Sequence, residues 1–432
     1  MVSEAVAAAL STLEGNPYAS DRDALATALD RVRRLPKSST VMEALEVGDI
    51  EGAERRLLAI GHADVMAGEA ELLDLPKRVW EGLPHERDDY LRVIHAAGRC
   101  YAKLEELAGE SDAMRRVRRE TWAACFGESL HIALVLHRVI FDHDVLILGE
   151  TGTGKEAIAS AIQEGLVGHG IGPAPSNALN AASVPETLIA SELFGHVKGA
   201  FTGATVERKG RIRSAKDGSF FLDEVGDLSL TTQVKLLRVM ETNVVSPLGA
   251  DVGFVADVRY IAATHKDLGR MVEEGEFRRD LYERLAGHVI ELPPLRDRRE
   301  DIPALGMFFV ERYLLKAGGD AGPVRERVEK WLRKASKRAY SWPGNVRELQ
   351  NKLRSVVLGF DPDVAHVPMK LAETGDVPEA ILGGSATMRE LTDWYLQKVL
   401  VDVEHNYAAA SRILGVDRAT IRRRAQKLGA KD

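Results

Sequence analysis

Residues 149–155 read Gly-Glu-Thr-Gly-Thr-Gly-Lys, directly after the short apolar run Val145–Leu148 and directly before a stretch of helical periodicity, Glu156–Gln163. A strand, a glycine-rich turn and a helix N-terminus in that order make an anion site. Glycines let successive backbone N–H groups converge on phosphate oxygens, and the helix dipole adds positive potential. The run Gly149, Glu150, Thr151, Gly152, Thr153, Gly154, Lys155 is therefore a candidate phosphate-binding loop, with Lys155 reaching the β- and γ-phosphates. Glu156 departs from the pattern. The general motif has Ser or Thr there, whose hydroxyl binds magnesium, so that ligand must come from water or another carboxylate.

Further along comes Phe220-Phe-Leu-Asp223-Glu224. An apolar strand ending in two acids can deliver Asp223 to Mg2+ and Glu224 to a water that attacks the γ-phosphate. Taken alone, an acidic strand end fits a solvated turn or a helix cap equally well. Beside a phosphate loop it completes the equipment for phosphoryl transfer.

These residues need a scaffold. Val145–Leu148, Gly218–Leu222 and Val258–Ala263 are short continuous apolar runs with helical stretches between them, which predicts an α/β domain around a buried parallel sheet. Before it, segments such as Ala24–Leu35, Glu51–Ile60 and Tyr90–Leu107 show helical spacing, broken by Pro36, Gly61, Pro76 and Pro84. No apolar strand ending in acids precedes Val145, so a receiver or another sheet-based sensory domain is disfavoured. A bundle or array of helix hairpins is expected; the stretch 48–58 hints at a helical repeat but has no second copy at a fixed period. After Pro293-Pro294, Asp301–Lys316, Val324–Tyr340 and Val346–Leu358 predict the helices of a small lid. The chain of 432 residues suggests about three domains, each with a core of its own. The expected division is an all-α domain over 1–119, a P-loop α/β domain over 120–292, a helical lid over 293–360, a Pro- and Gly-containing linker over 361–386 and an all-α domain over 387–432.

The segment Ser191-Glu-Leu-Phe-Gly-His-Val-Lys-Gly-Ala-Phe-Thr-Gly-Ala204 resembles the signature of the bacterial enhancer-binding proteins, the AAA+ activators of sigma-54 RNA polymerase. The similarity runs from about Gly127 to Leu358 and resumes near Leu391. It implies that ATP is the nucleotide and that Gly199, Ala200, Phe201, Thr202, Gly203 and Ala204 tip a loop that contacts sigma-54. Glycines at both ends suit a sharp mobile turn presenting Phe201 and Thr202. The resemblance further implies that Asn180 contacts Glu224 until the γ-phosphate is sensed. It implies that Arg278 and Arg284 are supplied to the ATP of the neighbouring subunit in a ring. The resemblance implies as well that Arg347, in Trp342-Pro-Gly-Asn-Val-Arg, senses nucleotide from its own subunit. His265 stands where most members have Asn as first sensor; an imidazole can also donate a hydrogen bond, but only in the right tautomer.

The last segment splits into two short helices around Gly415-Val416-Asp417, with Asn406 and Asp417 as N-caps and Ala409, Ile413, Leu414, Ile421 and Leu428 as a shared core. That is a helix-turn-helix, and it is similar to the Fis-type domain that closes many enhancer-binding proteins. Its second helix places Arg418, Thr420, Arg422 and Arg423 near the bases or phosphates of double-stranded DNA. Charge agrees with this placement. The chain carries a net −7, yet Ser411 to Asp432 holds seven Lys and Arg against two Asp, a local +5 that leaves −12 elsewhere. Two cysteines, Cys100 and Cys125, are too few for a disulfide framework or a Cys-based zinc site; Cys100, on an apolar helical stretch, reads as a core residue. With no basic leader and no run of ~18 apolar residues, a cytoplasmic protein without membrane contact is expected. The function these features imply is ATP-driven remodelling of sigma-54 holoenzyme by a homo-oligomer, from dimer to hexamer ring. Two alternatives stay open: a DNA-binding regulator whose AAA+ domain is an oligomerisation switch without sigma-54, and a replication-type DNA-remodelling ATPase. The intact hexapeptide counts against both.

Overall fold

The computed structural model describes residues 3–69, 73–315, 322–360, 362, 388–403, 406–414 and 416–427. They fall into two compact units, Met1–Pro362 and Asp363–Asp432.

The first unit is built on a five-stranded parallel sheet. Its strands are β1 (Val145–Leu148), β2 (Ser176–Asn180), β5 (Gly218–Asp223), β8 (Val258–Thr264) and β9 (His288–Glu291), in the order β2-β5-β8-β1-β9. Two short antiparallel pairs lie outside it, β3 (Gly195–His196) with β4 (Arg208–Lys209), and β6 (Val244–Val245) with β7 (Phe254–Val255). The register sets Asn180 beside Asp223, Asp223 beside Ala263, and Leu148 beside Thr264. Candidate polar groups thus gather at the carboxyl ends of adjacent parallel strands, β2, β5 and β8, where open α/β sheets bind ligands.

Strand alternation sends Val145, Ile147, Phe221, Ile261 and Ile290 to one face and Leu146, Phe220, Leu222, Tyr260 and Ala262 to the other. The second face is covered by α10 (Glu186–Phe194), α11 (Arg211–Ser214), α12 (Leu230–Thr242), α13 (Leu268–Glu273) and α14 (Arg279–Leu285), following α9 (Lys155–Glu164) in the chain. The first face is covered by α9 together with the N-terminal helices. These are α1 (Glu4–Glu14), α2 (Arg22–Arg33), α3 (Lys37–Glu46), α4 (Ile50–Met66), α5 (Lys77–Glu81), α6 (Arg87–Glu105), α7 (Asp112–Phe126) and α8 (Leu130–Phe141). The N-terminal region is helical, as its periodicity predicts, but it does not bury a core of its own. Leu13, Leu57, Ile94 and Trp122 belong to the same apolar cluster as Ile158, Ile162 and the sheet face. Fully buried Arg259 of β8 reinforces the join by donating to Ala124 O (2.6 Å) and His143 O (3.0 Å). Both cysteines are free and buried between α6, α7 and α9, so close that a Cβ on Gly165 would lie 2.8 Å from Cys125 Sγ and 3.0 Å from Cys100 Cβ.

His62 lies in this shared core with no exposure, stacked on Trp122 at 5.2 Å. Its Nδ1 donates to Leu13 O at 2.7 Å, and Nε2 has no partner among the described residues. Burial pushes its pKa down to about 4. The neutral ring is the folded form, so its stability contribution is complete above the free value near 6.5 and is lost as pH falls through about 4. The total is about 3 kcal/mol. The melting temperature should fall between pH 7 and pH 4, and fall less in His62→Asn; equal slopes in the two proteins would refute the assignment.

After β9 the chain forms three helices, α15 (Ile302–Leu315), α16 (Gly322–Ala335) and α17 (Asn345–Val357). They close on a small core of Leu295, Ile302, Val328, Leu332, Trp342 and Leu349. The second unit contains α18 (Met388–Asp402), α19 (Tyr407–Leu414) and α20 (Arg418–Lys427). Leu400, Ala410, Ile421 and Ala425 are buried there, and Arg424 Nε pairs with Asp393 at 2.7 Å. Ile413, expected inside, is 42% exposed. The inward stripe of α19 runs from Ala410 to Leu414, one helical turn apart, and this turns Ile413 outward. Gly415, Leu428 and nearly all of the linker 361–386 lie outside the described residues. No helix among the described residues is long and apolar enough to cross a membrane.

Candidate active site

The turn from β1 into α9 depends on glycine at its apex. Gly152 has φ +81°, and a Cβ there would sit 2.5 Å from the Gly344 carbonyl oxygen. Lys155 opens α9 and is 7% exposed; its Nζ donates to Gly149 O at 2.9 Å and lies 3.7 Å from Glu224 Oε1. Thr151 to Glu156 line a cavity of about 550 Å3, together with Asn180, Asp223 and Glu224. That volume suits a nucleotide.

Gly149 and Glu150 do not line it. The Glu150 carboxylate faces the lid, where it accepts from Arg296 Nη1 (2.9 Å) and Nη2 (2.6 Å) and from Asn345 Nδ2 (3.1 Å). Those hydrogen bonds hold it below the usual carboxylate range. It is a tether rather than a phosphate contact. Asn345 is the hub of that tether. Buried, with φ +49°, it also donates to Thr151 O (3.1 Å) and accepts from Leu295 N (2.7 Å) through Oδ1. Val346 N bonds Gly152 O at 3.0 Å, and buried Arg298 donates to Thr153 O at 3.0 Å. Neither Asn345 nor Arg298 was singled out by residue type. Asn345 lies inside the Trp342–Arg347 motif, where a polar side chain at a helix start was the available signal; nothing local marks Arg298. Arg347, from the first turn of α17, lines the cavity.

At the end of β5 the two acids part. Asp223 Oδ2 accepts from Asn180 Nδ2 at 2.7 Å, and its Oδ1 accepts from Glu224 N at 3.1 Å. Burial, then the neighbouring Glu224 charge, push its pKa up, against the pull of Lys155. Glu224 has a left-handed backbone, φ +54°, which swings its carboxylate toward the end of β8. Oε2 accepts there from His265 Nδ1 at 2.8 Å and from His265 N at 3.2 Å. The expected Asn180–Glu224 contact is therefore corrected: Asn180 holds Asp223, and His265 holds Glu224. A carboxylate can only accept, so His265 Nδ1 carries the proton.

Among the described residues no cluster of three or more His, Cys, Asp or Glu makes a metal centre by itself. Asp223, Glu224 and Glu156 do line the same cavity as the loop. One or two carboxylates beside a phosphate site is the donor set that suits magnesium, which keeps waters and shares phosphate oxygens. The residues fit that ion.

The two candidate arginines of the 277–285 segment, Arg278 and Arg284, lie outside the cavity lining of their own chain. Arg278 is exposed and bidentate on Asp280, at 3.0 and 2.6 Å. Arg284 Nη2 lies 3.4 Å from Oδ2 of Asp144, a buried carboxyl that burial pushes up to about 6. The segment Gly199–Ala204 tops the β3–β4 hairpin. Gly199 N bonds Ala204 O at 2.8 Å, Phe201 and Thr202 are exposed, and the Phe201 ring leans on His196 at 5.0 Å. The β6–β7 hairpin flanks it through Leu248, whose N bonds Gly195 O and whose O accepts from Val197 N. This supporting loop was not read from sequence. In the second unit Arg418, Arg422 and Arg423 are exposed on α20 and Thr420 is half-buried. Asp417 caps that helix through Thr420 N (2.9 Å), and Asn406 caps α19 through Ala408 N and Ala409 N (both 3.1 Å).

Residues 130–291 match the Sigma-54 interaction domain, and residues 296–380 match the AAA+ ATPase lid domain. The anaerobic nitric oxide reductase transcription regulator NorR of Klebsiella pneumoniae is 40% identical over 316 residues, 67% of this chain and 58% of that protein. The chain thus spans well under two thirds of NorR. The transcriptional regulatory protein ZraR of Klebsiella oxytoca is 40% identical over 315 residues, 70% of this chain and 69% of ZraR. Among solved structures, NtrX from Brucella abortus in complex with ADP has a similar fold, with a TM-score of 0.50 and 24% identity over 93% of this chain and 87% of that one. With the phosphate loop, the acids and the hexapeptide in place on one α/β domain, and with that identity to ZraR, the chain belongs to the family of sigma-54-dependent AAA+ transcription regulators.

Proposed function

We propose that the chain is an ATP-driven activator. It binds an enhancer-like DNA site through a Fis-type helix-turn-helix in residues 387–432, assembles into a homo-oligomeric ring and remodels sigma-54 RNA polymerase holoenzyme. The observation that carries this reading is the exposed Phe201-Thr202 tip on the same α/β domain as Lys155, Asp223 and Glu224.

In this reading Lys155 Nζ leaves Gly149 O to meet the β- and γ-phosphate oxygens. Oε2 of Glu224 is held by His265, which leaves Oε1 to take a proton from water as the water oxygen attacks the γ-phosphorus. The bond to the β,γ-bridging oxygen breaks and its electron pair leaves with ADP. Asp223 is the residue that would hold Mg2+, which supplies neutralisation of charge on the phosphate oxygens. Arg278 and Arg284 would complete the neighbour's site in trans. Arg278 has only an exposed surface pair to give up, whereas Arg284 must leave a buried carboxylate. The helices of residues 1–119 would regulate ATPase activity or ring assembly.

Purified sigma-54 should bind the full chain in the presence of an ATP transition-state analogue. Thr202→Ala should lose at least about tenfold in that binding, the scale of one lost interface anchor, with ATPase activity retained. Should wild type bind no sigma-54 with any ATP analogue, the reading gives way to a DNA-binding regulator with a nucleotide-dependent oligomerisation switch.

A further inference from the structure

One face of the lid carries charge that neither the fold nor the nucleotide site uses. α16 turns Val328, Leu332 and Ala335 into the lid core. On its opposite side Lys330, Arg333, Lys334, Lys337 and Arg338 recur at three- and four-residue steps, all exposed and all lining one open concavity. The last two lie just past the helix. Hydrogen bonds from Lys337 N to Lys334 O and from Arg338 N to Ala335 O (both 3.3 Å) carry the helical turn on to them. From Arg325 to Arg338 there are seven Lys and Arg against two Glu, a local +5 in a chain of net −7. That equals the excess of Ser411 to Asp432, in fewer residues.

Packing of the lid engages only part of this charge. Arg325 Nη2 reaches Glu311 at 3.7 Å and Arg327 Nη2 donates to Val357 O at 2.7 Å, so these two hold α16 to α15 and α17. Arg333 has a surface pair with Glu329 at 3.6 Å, which is worth little in water. Lys330, Lys334 and Lys337 make no ion pair among the described residues. A helix dipole favours a cation or two in the last turn, but Lys330 with Lys334, and Arg333 with Lys337, are like charges four residues apart, which repel. A polyanion laid along the stripe turns that repulsion into attraction.

Three features select double-stranded DNA as that polyanion. The stripe from Lys330 to Arg338 is about 12 Å long, a length of duplex that carries about seven phosphates. Among the described residues no aromatic or apolar side chain lines the concavity, so it offers neither a stacking platform for unpaired bases nor an anchor in a lipid surface. Residues 387–432, on the reading given above, hold duplex DNA on the same chain, which raises the local concentration of that ligand around the lid.

We propose that the stripe Lys330, Arg333, Lys334, Lys337 and Arg338 binds the phosphate backbone of double-stranded DNA without regard to sequence. The proposal rests on reading this chain as a DNA-binding regulator, and it adds a contact made by the ATPase lid itself.

The test is binding of the full chain to a fluorescent duplex of about 30 base pairs of random sequence, over about 50 to 200 mM salt. Each lost phosphate contact lowers the slope of log affinity on log salt by about 0.9. Lys330→Gln/Lys334→Gln/Lys337→Gln should therefore flatten the slope by about 2 to 3 and weaken binding at low salt at least about tenfold. Lys330→Arg/Lys334→Arg/Lys337→Arg should keep both. Lys77→Gln/Lys216→Gln/Lys235→Gln removes the same net charge from exposed positions elsewhere and should also keep both. An unchanged slope in the first variant, or the same flattening in either of the others, overturns the proposal. So does intact DNA binding with an altered oligomer size in sedimentation, because the stripe then faces an acidic surface of a second copy. Arg422→Gln/Arg423→Gln separates the two claims. If it leaves DNA affinity unchanged while the stripe variant flattens the slope, the helix-turn-helix reading fails and the stripe stands. If wild type binds no duplex at the lowest salt, both fall.

Discussion

Glu224→Gln is expected to slow ATP hydrolysis by about 100- to 10,000-fold, the usual contribution of a positioned general base, with nucleotide affinity held or slightly raised. Gln has the size of Glu and can still accept from His265, so the loop geometry survives. It cannot take a proton from water. The substitution also removes the carboxylate 3.7 Å from Lys155 Nζ, freeing that ammonium for phosphate. Phosphate release at saturating ATP and equilibrium binding of ADP together check the claim. A variant that turns over ATP at the wild-type rate would show that another group activates water. One that binds no nucleotide would show that Glu224 is structural. His265 gives the control, because it acts on the same carboxylate from the side: His265→Asn keeps a donor and should retain most activity, while His265→Ala should lose more.

The second large effect is expected at Asn345. Its side chain satisfies Leu295 N, Thr151 O and the Glu150 carboxylate from a residue with no exposure and φ +49°. Asn345→Ala strands a buried N–H and a carbonyl, and it leaves a Cβ-bearing residue without the side-chain bond that makes the left-handed backbone tolerable. Those penalties sum to about 3 kcal/mol, and the phosphate loop loses its tie to the lid. A drop in melting temperature, together with weaker ADP binding, is the expected result. Asn345→Asp keeps the acceptor for Leu295 N but turns two donors into a charge facing Glu150, so it should be the milder variant at low pH and worsen as pH rises through the carboxylate range. Wild-type melting and wild-type ADP affinity in Asn345→Ala would show that Asn345 is not a hub.

The parts legible in the sequence are those with a local signature. Val145–Leu148 reads as a strand because a continuous apolar run meets glycine, and it is β1 over the same residues. The lid helices begin and end within a few residues of their periodic stretches, because an amphipathic face declares itself within one helix. Partner choice at longer range was not legible. Which carboxylate Asn180 meets goes with the left-handed turn at Glu224, whose carboxylate is held by His265, 41 positions away in sequence. The Asp301–Ser111 contact joins residues 190 positions apart, and neither residue type is unusual where it stands. The joint core was hidden for the same reason: a helix face that packs on its neighbours and one that packs on a sheet have the same periodicity.

That joint core bears on how any signal could be passed. A regulatory segment hung on a tether can let go and leave its motor intact, as a cover lifts from a machine. Here Trp122, Ile94 and Ile162 share one apolar interior, and releasing α6 and α7 would bare the face of the sheet on which the catalytic strands rest. The front of this chain is framework, so control exerted through it must work by flexing a joined body rather than by detachment. That favours graded tuning of turnover over an all-or-none release.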